Sequence, residues 1–168
     1  MKEKLFPVLV VLMAVVMRFL PHPANVAPIA AMALFGGAYL NKKYAVVLPM
    51  VVMLISDLFL GFHKTMPFVY GSFLIASIIG INLKNKVKIK PVLGASLLSS
   101  VIFYVVTNFG VWLTSGMYEM TFLGLIKCYV LAIPFFRNTL VGDLFYTVMM
   151  FGGYKMVLRL SYKAHIRV

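Results

Sequence analysis

Four polar stretches interrupt an otherwise apolar chain, and they hold most of the side chains that are capable of recognition chemistry. The stretches read R-F-L-P-H-P-A-N at 18–25, S-D-L-F-L-G-F-H-K at 56–64, T-N-F-G-V-W-L-T-S-G at 107–116 and P-F-F-R-N-T-L-V-G-D at 134–143. A loop that only turns the chain does not need a cation, an imidazole and an amide at the edge of an apolar core. We therefore expect these stretches to converge on one pocket. The candidate substrate-binding residues are Arg18, His22, Asn25, Asp57, His63, Tyr104, Asn108, Trp112, Arg137, Asn138 and Asp143.

The charged members of this set suit an acidic or zwitterionic ligand. Two guanidinium groups, those of Arg18 and Arg137, can clamp a carboxylate or phosphate through paired hydrogen bonds. Asp57 is predicted one turn inside the end of an apolar helix, where an ionisable side chain is a candidate for function. The alternative is that Asp57 forms a structural ion pair with one of the two arginines. As members of the pocket, Asn25, Asp57 and Asp143 would orient the ligand through hydrogen bonds.

An aromatic and amide face is predicted on the fifth apolar helix. Tyr104, Asn108 and Trp112 are spaced four apart, so they share one side of that helix. Two rings and an amide suit a planar organic molecule, which the rings stack on and the amide orients. The alternatives are that Trp112 belongs to an interfacial aromatic belt and that Asn108 joins neighbouring helices.

The start of the last helix has an alternative, purely structural explanation. Asn138 or Thr139 can cap this helix, and Asp143 would then lie within about its first turn, where the helix dipole favours a negative charge.

The sequence gives little support for metal or catalytic chemistry. His22, His63, Asp57 and Asp143 could ligate a divalent metal ion, but no pair has the close spacing of a site on one helix. No nucleophile–base motif or phosphate-binding loop is present, so we expect no enzyme activity, no bound metal and no cofactor. The single cysteine, Cys128, excludes a disulfide within the chain.

The composition predicts an all-α membrane protein with a single integral membrane domain, 1–168. Hydrophobic residues make up 62% of the chain, against roughly half in a soluble domain. Apolar runs separated by short basic or Gly/Pro breaks are typical of a helical bundle that crosses the bilayer repeatedly. We expect six transmembrane helices and a short re-entrant or interfacial helix before the last one, at about 121–136. The six predicted helices are about 5–20, 26–40, 44–60, 66–82, 91–113 and 139–160.

The net charge of +12 is best explained by membrane topology. With six crossings and both termini in the cytoplasm, twelve of the sixteen lysines and arginines fall on the cytoplasmic side, as the positive-inside rule requires. A full crossing by 121–136 would largely remove this bias, so we interpret it as re-entrant or lying on the outer surface. We expect location in the inner (cytoplasmic) membrane, without a cleaved signal peptide and without nucleic-acid binding.

The four motifs above, together with V-A-P-I-A-A-M-A-L-F-G-G at 26–37, resemble a family of small bacterial membrane proteins described as transport proteins. That family is in turn similar to the substrate-binding S components of energy-coupling-factor (ECF) transporters. The resemblance implies a six-helix binding protein for a vitamin, cofactor precursor or metal ion. It also implies that the protein functions together with a transmembrane coupling subunit and cytoplasmic ATPases. The first helix lacks the alanine pattern often used for docking; small residues lie on the second helix instead, as the pairs Ala27/Ala31 and Ala33/Gly37.

Three hypotheses follow. The first is an integral membrane substrate-binding and transport subunit for a small vitamin-like or cofactor-precursor solute, with the P-H-P corner at 21–23 as its gate. The second is a structural or accessory subunit of a larger complex, in which the polar motifs only pair helices. The third is a divalent-metal carrier.

Overall fold

The computed structural model describes residues 16, 26 and 28–166, and the burial of side chains as far as residue 160. The predicted first helix at about 5–20, apart from Val16, and the corner that holds Arg18, His22 and Asn25 therefore lie outside the described residues.

Within the described range the chain forms five α-helices and no strand, which confirms the all-α prediction. The helices are α1 (Ile29–Tyr39), α2 (Lys42–Leu60), α3 (Met66–Asn82), α4 (Ile89–Thr114) and α5 (Phe122–Ile166). The first four agree with the predicted ranges to within about three residues, because Pro, Gly or lysine-containing breaks separate the apolar runs.

Three of these helices are long and apolar enough to cross a membrane: α2, α4 and the segment Phe122–Leu160 of α5. This is the helix content of a membrane protein. The helices α1 and α3 are also apolar but have only 11 and 17 residues, short of the roughly 20 that span a bilayer. The expected count of six crossings is therefore not supported by the described part of the chain.

The predicted break before the last helix is wrong. The segment 121–136 does not form a separate re-entrant or interfacial helix, because α5 runs without interruption through Pro134. A proline removes only its own N–H bond and bends a helix more readily than it ends one when neighbouring turns pack well. Neither Asn138 nor Thr139 is an N-cap; the Thr139 hydroxyl donates to the carbonyl of Phe135 at 3.1 Å, inside the helix.

Neighbouring side chains give the helix directions. Rings of α3 and α4 pair as Phe68–Phe109 and Phe73–Phe103, so these helices are antiparallel. The rings of α1 and α5 pair as Phe35–Phe151 and Tyr39–Tyr154, so they are parallel. The α1–α2 and α3–α4 connections and the end of α5 consequently lie together at one end of the bundle. We call it the basic end, because it carries Lys42, Lys43, Lys84, Lys86, Lys88, Lys90, Lys155 and Arg159.

Helix α1 is the centre of the bundle. All its residues from Ile29 to Ala38 are buried, and it packs against each of the other four helices. Its closest approach is to α3, where a Cβ added to Gly37 would lie 2.5 Å from the carbonyl oxygen of Ser77. An added Cβ on Gly80 would in turn overlap the backbone of Leu34. Small residues therefore let the two backbones touch, as the Ala33/Gly37 spacing indicated.

Candidate functional site

A cavity of about 200 Å³ lies between α3, α4 and α5, in the half of the bundle away from the basic end. Most of its walls come from facing turns of α4 and α5. Its lining residues are Val69, Phe103, Tyr104, Thr107, Asn108, Val111, Ala132, Phe135, Phe136 and Thr139. Two of the predicted ligand-binding residues, Tyr104 and Asn108, are among them.

Hydrogen bonds between α4 and α5 fix the walls of this cavity. The Tyr104 hydroxyl donates to the carbonyl of Tyr129 at 2.6 Å, and the Tyr129 hydroxyl donates to the carbonyl of Val105 at 2.7 Å. The Tyr104 ring also packs against Phe136, with centroids 4.5 Å apart. Because its hydroxyl is already bonded, Tyr104 offers a ligand its ring face rather than a donor.

Asn108 is held to its own helix. Its side-chain nitrogen donates to the carbonyl of Tyr104 at 2.8 Å, the i−4 bond that accommodates a polar group in an apolar helix. The thiol of Cys128 donates to the Asn108 carbonyl at 3.4 Å, which ties this turn to α5. The amide oxygen of Asn108 is the group that a ligand in the cavity can use as an acceptor.

Trp112 lies outside the cavity wall, although it shares a helix face with Asn108. Its indole nitrogen donates to the carbonyl of Glu119 at 2.9 Å, so the side chain anchors the 115–121 connection onto α4. The ring packs against Phe109, with centroids 5.6 Å apart. The predicted stacking role therefore falls to Tyr104 and to the phenylalanines that the sequence did not single out.

Asp57 is buried at 1% exposure near the end of α2, as its position in the sequence indicated. Its carboxylate accepts a hydrogen bond from the Tyr70 hydroxyl at 2.8 Å. This bond joins α2 to α3 beside their connecting loop. Asp57 does not line the cavity.

Asp143 is also buried, at 4% exposure, and lies midway along α5 rather than in a first helical turn. The Ser100 hydroxyl of α4 donates to its carboxylate at 2.6 Å. Like Asp57, it is absent from the cavity wall.

The remaining candidates that the structure describes do not line the cavity. Arg137 is exposed and Asn138 is half-buried on α5, and neither lines it. His63 is exposed in the loop after α2, where its Nδ1 pairs with the Thr65 hydroxyl at 2.8 Å. Among the described residues, no group of three histidines, cysteines or acidic residues is arranged to hold a metal ion.

The cavity wall is therefore aromatic, aliphatic and weakly polar. Its described polar members are the hydroxyls of Thr107 and Thr139, the Asn108 amide and Tyr104, and none of the lining residues that the structure describes is charged. The Thr107 hydroxyl donates to the Phe103 carbonyl at 2.7 Å. Such a wall recognises a ring by stacking and a few polar atoms by hydrogen bonds.

Sequence reasoning missed most of the α5 wall. The sequence predicts Ala132, Phe135 and Phe136 in a separate segment and Thr139 at the start of the last helix, so it does not reveal their common face. Thr139 is one turn after Phe135, and that spacing is the signal for a shared face if the helix is taken as continuous.

A family model describes almost the whole chain. Residues 1–165 match the model of DUF6580, a family of unknown function. The chain belongs to DUF6580. No curated protein and no solved structure matches it. The described residues that line the cavity all fall within the DUF6580 match, so the cavity belongs to the family domain.

Proposed function

We propose that this DUF6580 protein is an integral membrane substrate-binding subunit for transport, and that it takes up a small vitamin-like or cofactor-precursor solute. The observation that carries the proposal is the cavity between α3, α4 and α5, with Tyr104 and Asn108 in its wall. A pocket of mixed aromatic and hydroxyl character between helices is a usual form of small-molecule site in a helical bundle.

The cavity selects for size and charge. Drug-sized ligands occupy pockets of about 300–1,000 Å³, so a hollow of about 200 Å³ favours a smaller molecule. Because none of its described lining residues is charged, the solute that we propose is a compact, uncharged, planar heterocycle. This differs from the acidic ligand that an arginine clamp would select, since Arg137 is exposed on α5.

The basic end faces the cytoplasm of the inner membrane in this proposal, with both termini on that side. The cavity then lies in the outer half of the bundle, where an incoming solute arrives. An ECF-type coupling subunit with its ATPases would meet the basic end. The S-component resemblance also requires six crossings. The three long helices supply three, α1 and α3 supply two if the bilayer thins around them, and the sixth is the predicted first helix at about 5–20.

Filling the cavity tests the proposal. Ala132 lies on the cavity wall, so Ala132→Leu places new carbon atoms inside the hollow; Val130→Leu, on the exposed side of the same helix, is the matched control. Purified proteins are incubated with a metabolite extract, washed and denatured, and the released compounds are identified by mass spectrometry. We expect a small planar compound enriched on the wild type and on Val130→Leu, and lost from Ala132→Leu.

An equal set of compounds on all three proteins contradicts the proposal. Loss of thermal stability in Ala132→Leu without any bound compound on the wild type favours the structural or accessory subunit instead. A wild-type protein that carries a divalent metal by elemental analysis favours the metal carrier.

A further inference from the structure

A second polar site lies at the contact of α4 and α5, apart from the cavity. Ser96 and Ser100 of α4 face Asp143 and Thr147 of α5. The Ser100 hydroxyl donates to Asp143 at 2.6 Å, and the Thr147 hydroxyl donates to that of Ser96 at 3.1 Å. We call these four residues the oxygen cluster. All four are at most 4% exposed, and none lines the cavity.

The described residues place no cation beside the acidic side chain of the oxygen cluster. Asp143 lies within an apolar segment long enough to cross the membrane, where an isolated carboxylate is costly. Every lysine and arginine whose burial is described is exposed, so none is buried beside Asp143. The start of α1 is close, since Val26 packs near Gly142, but a helix N-terminus supplies only about half a unit charge.

The donor set is made of oxygen alone. Carboxylate and hydroxyl oxygens prefer hard cations, whereas soft transition metals prefer nitrogen and sulfur. A single carboxylate is neutralised by one monovalent ion; a divalent ion would leave an uncompensated positive charge in the apolar bundle. Ser99, also on α4 and three residues from Ser96, is 4% exposed, and its hydroxyl has no hydrogen-bond partner among the described residues.

We propose that the oxygen cluster binds a sodium ion between α4 and α5. The Asp143 carboxylate provides the charge, and the hydroxyls of Ser96, Ser100 and Thr147 turn their lone pairs toward the ion. When the ion binds, oxygen atoms of both helices coordinate it in place of the two interhelical hydrogen bonds. The ion therefore holds α4 and α5 together more firmly.

The same two helices frame the cavity. Ser100 is one turn from Tyr104, and Asp143 is one turn from Thr139, so an ion in the cluster stiffens both walls. This link to solute binding rests on the proposed function, whereas sodium binding itself does not.

The test measures the unfolding temperature of the purified full-length protein in detergent as sodium chloride replaces choline chloride at constant total salt. We expect a saturable stabilisation of the wild type by sodium. Loss of a group that supports a bound metal weakens affinity roughly 10- to 100-fold, so Thr147→Val and Ser100→Ala should raise the half-saturating concentration by about tenfold or more. Asp143→Asn should abolish the response.

The matched control is Ser77→Ala. Ser77 is a buried serine of α3 whose hydroxyl donates only to the carbonyl of Phe73 in its own helix, so this variant should keep the wild-type sodium response. Equilibrium binding of radioactive sodium to the wild type, with no solute present, gives the same readout without unfolding.

Three results overturn the proposal. The first is an equal unfolding temperature in sodium and in choline, and the second is an unchanged sodium response in Thr147→Val. The third is an unfolding temperature that rises with acidification but does not change with sodium concentration. The last would identify a proton as the occupant. If Asp143→Asn does not fold, the two hydroxyl variants decide the outcome, because they remove an oxygen with little change in shape. None of these results depends on a bound solute, so they are separate from the cavity-filling test.

Discussion

Hydroxyl and amide side chains in this bundle follow two patterns of bonding. Ser72, Ser77, Thr107 and Asn108 donate to the carbonyl four residues earlier in their own helix. Such bonds satisfy a polar group locally and need no partner helix. A smaller set crosses between helices, as Tyr70 does to Asp57 and as Ser100 does to Asp143. These two bonds join helices at a buried acidic side chain, so we expect their loss to lower the stability of the whole bundle.

Tyr70→Phe tests this distinction at Asp57. The substitution removes a hydroxyl that donates to a carboxylate at 1% exposure, and we expect a loss of about 1 kcal/mol in the free energy of unfolding. Reversible unfolding in a detergent titration measures it. The control Tyr44→Phe removes an exposed hydroxyl from α2 and should change stability by much less. Equal effects of the two substitutions would show that the Tyr70–Asp57 bond contributes nothing specific.

The helices meet in two different ways. Glycine allows α1 and α3 to touch through their backbones, whereas aromatic rings and interhelical hydrogen bonds separate α4 from α5. The cavity forms in the second kind of contact, because bulky side chains cannot fill all the space between two helices that they hold apart. The close contact at α1 gives the rigid centre against which the cavity helices pack.

Gly37→Ala should disrupt the α1–α3 contact. Its Cβ would lie 2.5 Å from a backbone oxygen, which no side-chain rotation can relieve, so we expect a loss of about 3 kcal/mol or more in the free energy of unfolding. The matched control is Gly153→Ala in α5, where an added Cβ meets nothing within 4 Å. That variant should be neutral or stabilised by up to about 1 kcal/mol, since alanine favours a helix. If Gly37→Ala does not lower the free energy of unfolding, α1 and α3 can move apart at no cost in stability.

The continuity of α5 gives a further prediction. Pro134 is exposed within α5 and leaves the carbonyl of Val130 without its helical donor. Pro134→Ala restores that bond, so the free energy of unfolding should stay the same or rise by about 1–3 kcal/mol. The same detergent titration measures it. A clear loss of stability would indicate that a break at Pro134 is part of the folded state.

The charge of the molecule is strongly one-sided. Every described lysine and arginine other than Lys64, Lys127 and Arg137 lies at the basic end. This end also contains the aromatic contact between Tyr39 and Tyr154, with centroids 4.4 Å apart. By the positive-inside rule, a membrane protein with one basic end prefers the orientation in which that end faces the cytoplasm.

Thiol labelling in intact cells measures this orientation. In a Cys128→Ala background, the exposed loop positions Lys64 and Lys86 are replaced singly by cysteine. We expect a membrane-impermeant maleimide to label Lys64→Cys in intact cells and to label Lys86→Cys only after permeabilisation. The opposite pattern would place the cavity in the inner half of the membrane and would contradict uptake from outside.

Local pattern predicted the individual helices well. The apolar runs and the breaks between them correctly predicted α1 to α4. The position of Asp57 inside an apolar run correctly predicted that its side chain is buried. The α5 break was wrong because a proline and a capping residue are local signals, which packing of neighbouring turns overrides. Two members of the predicted pocket, Tyr104 and Asn108, do share a cavity, since both lie on the α4 face that meets α5. Of the other members that the structure describes, Asp57, Trp112 and Asp143 form hydrogen bonds outside the cavity.

An all-helical, strongly apolar chain with its charges in short breaks can be predicted from the amino-acid order, because these properties depend on composition and on spacing along one helix. Which helix faces meet becomes known only from the folded bundle. That choice depends on side-chain volumes and on hydrogen bonds between residues far apart in the chain, such as Ser100 with Asp143 and Tyr104 with Tyr129. It placed the cavity and the oxygen cluster along the same pair of helices, a proximity that no local spacing encodes.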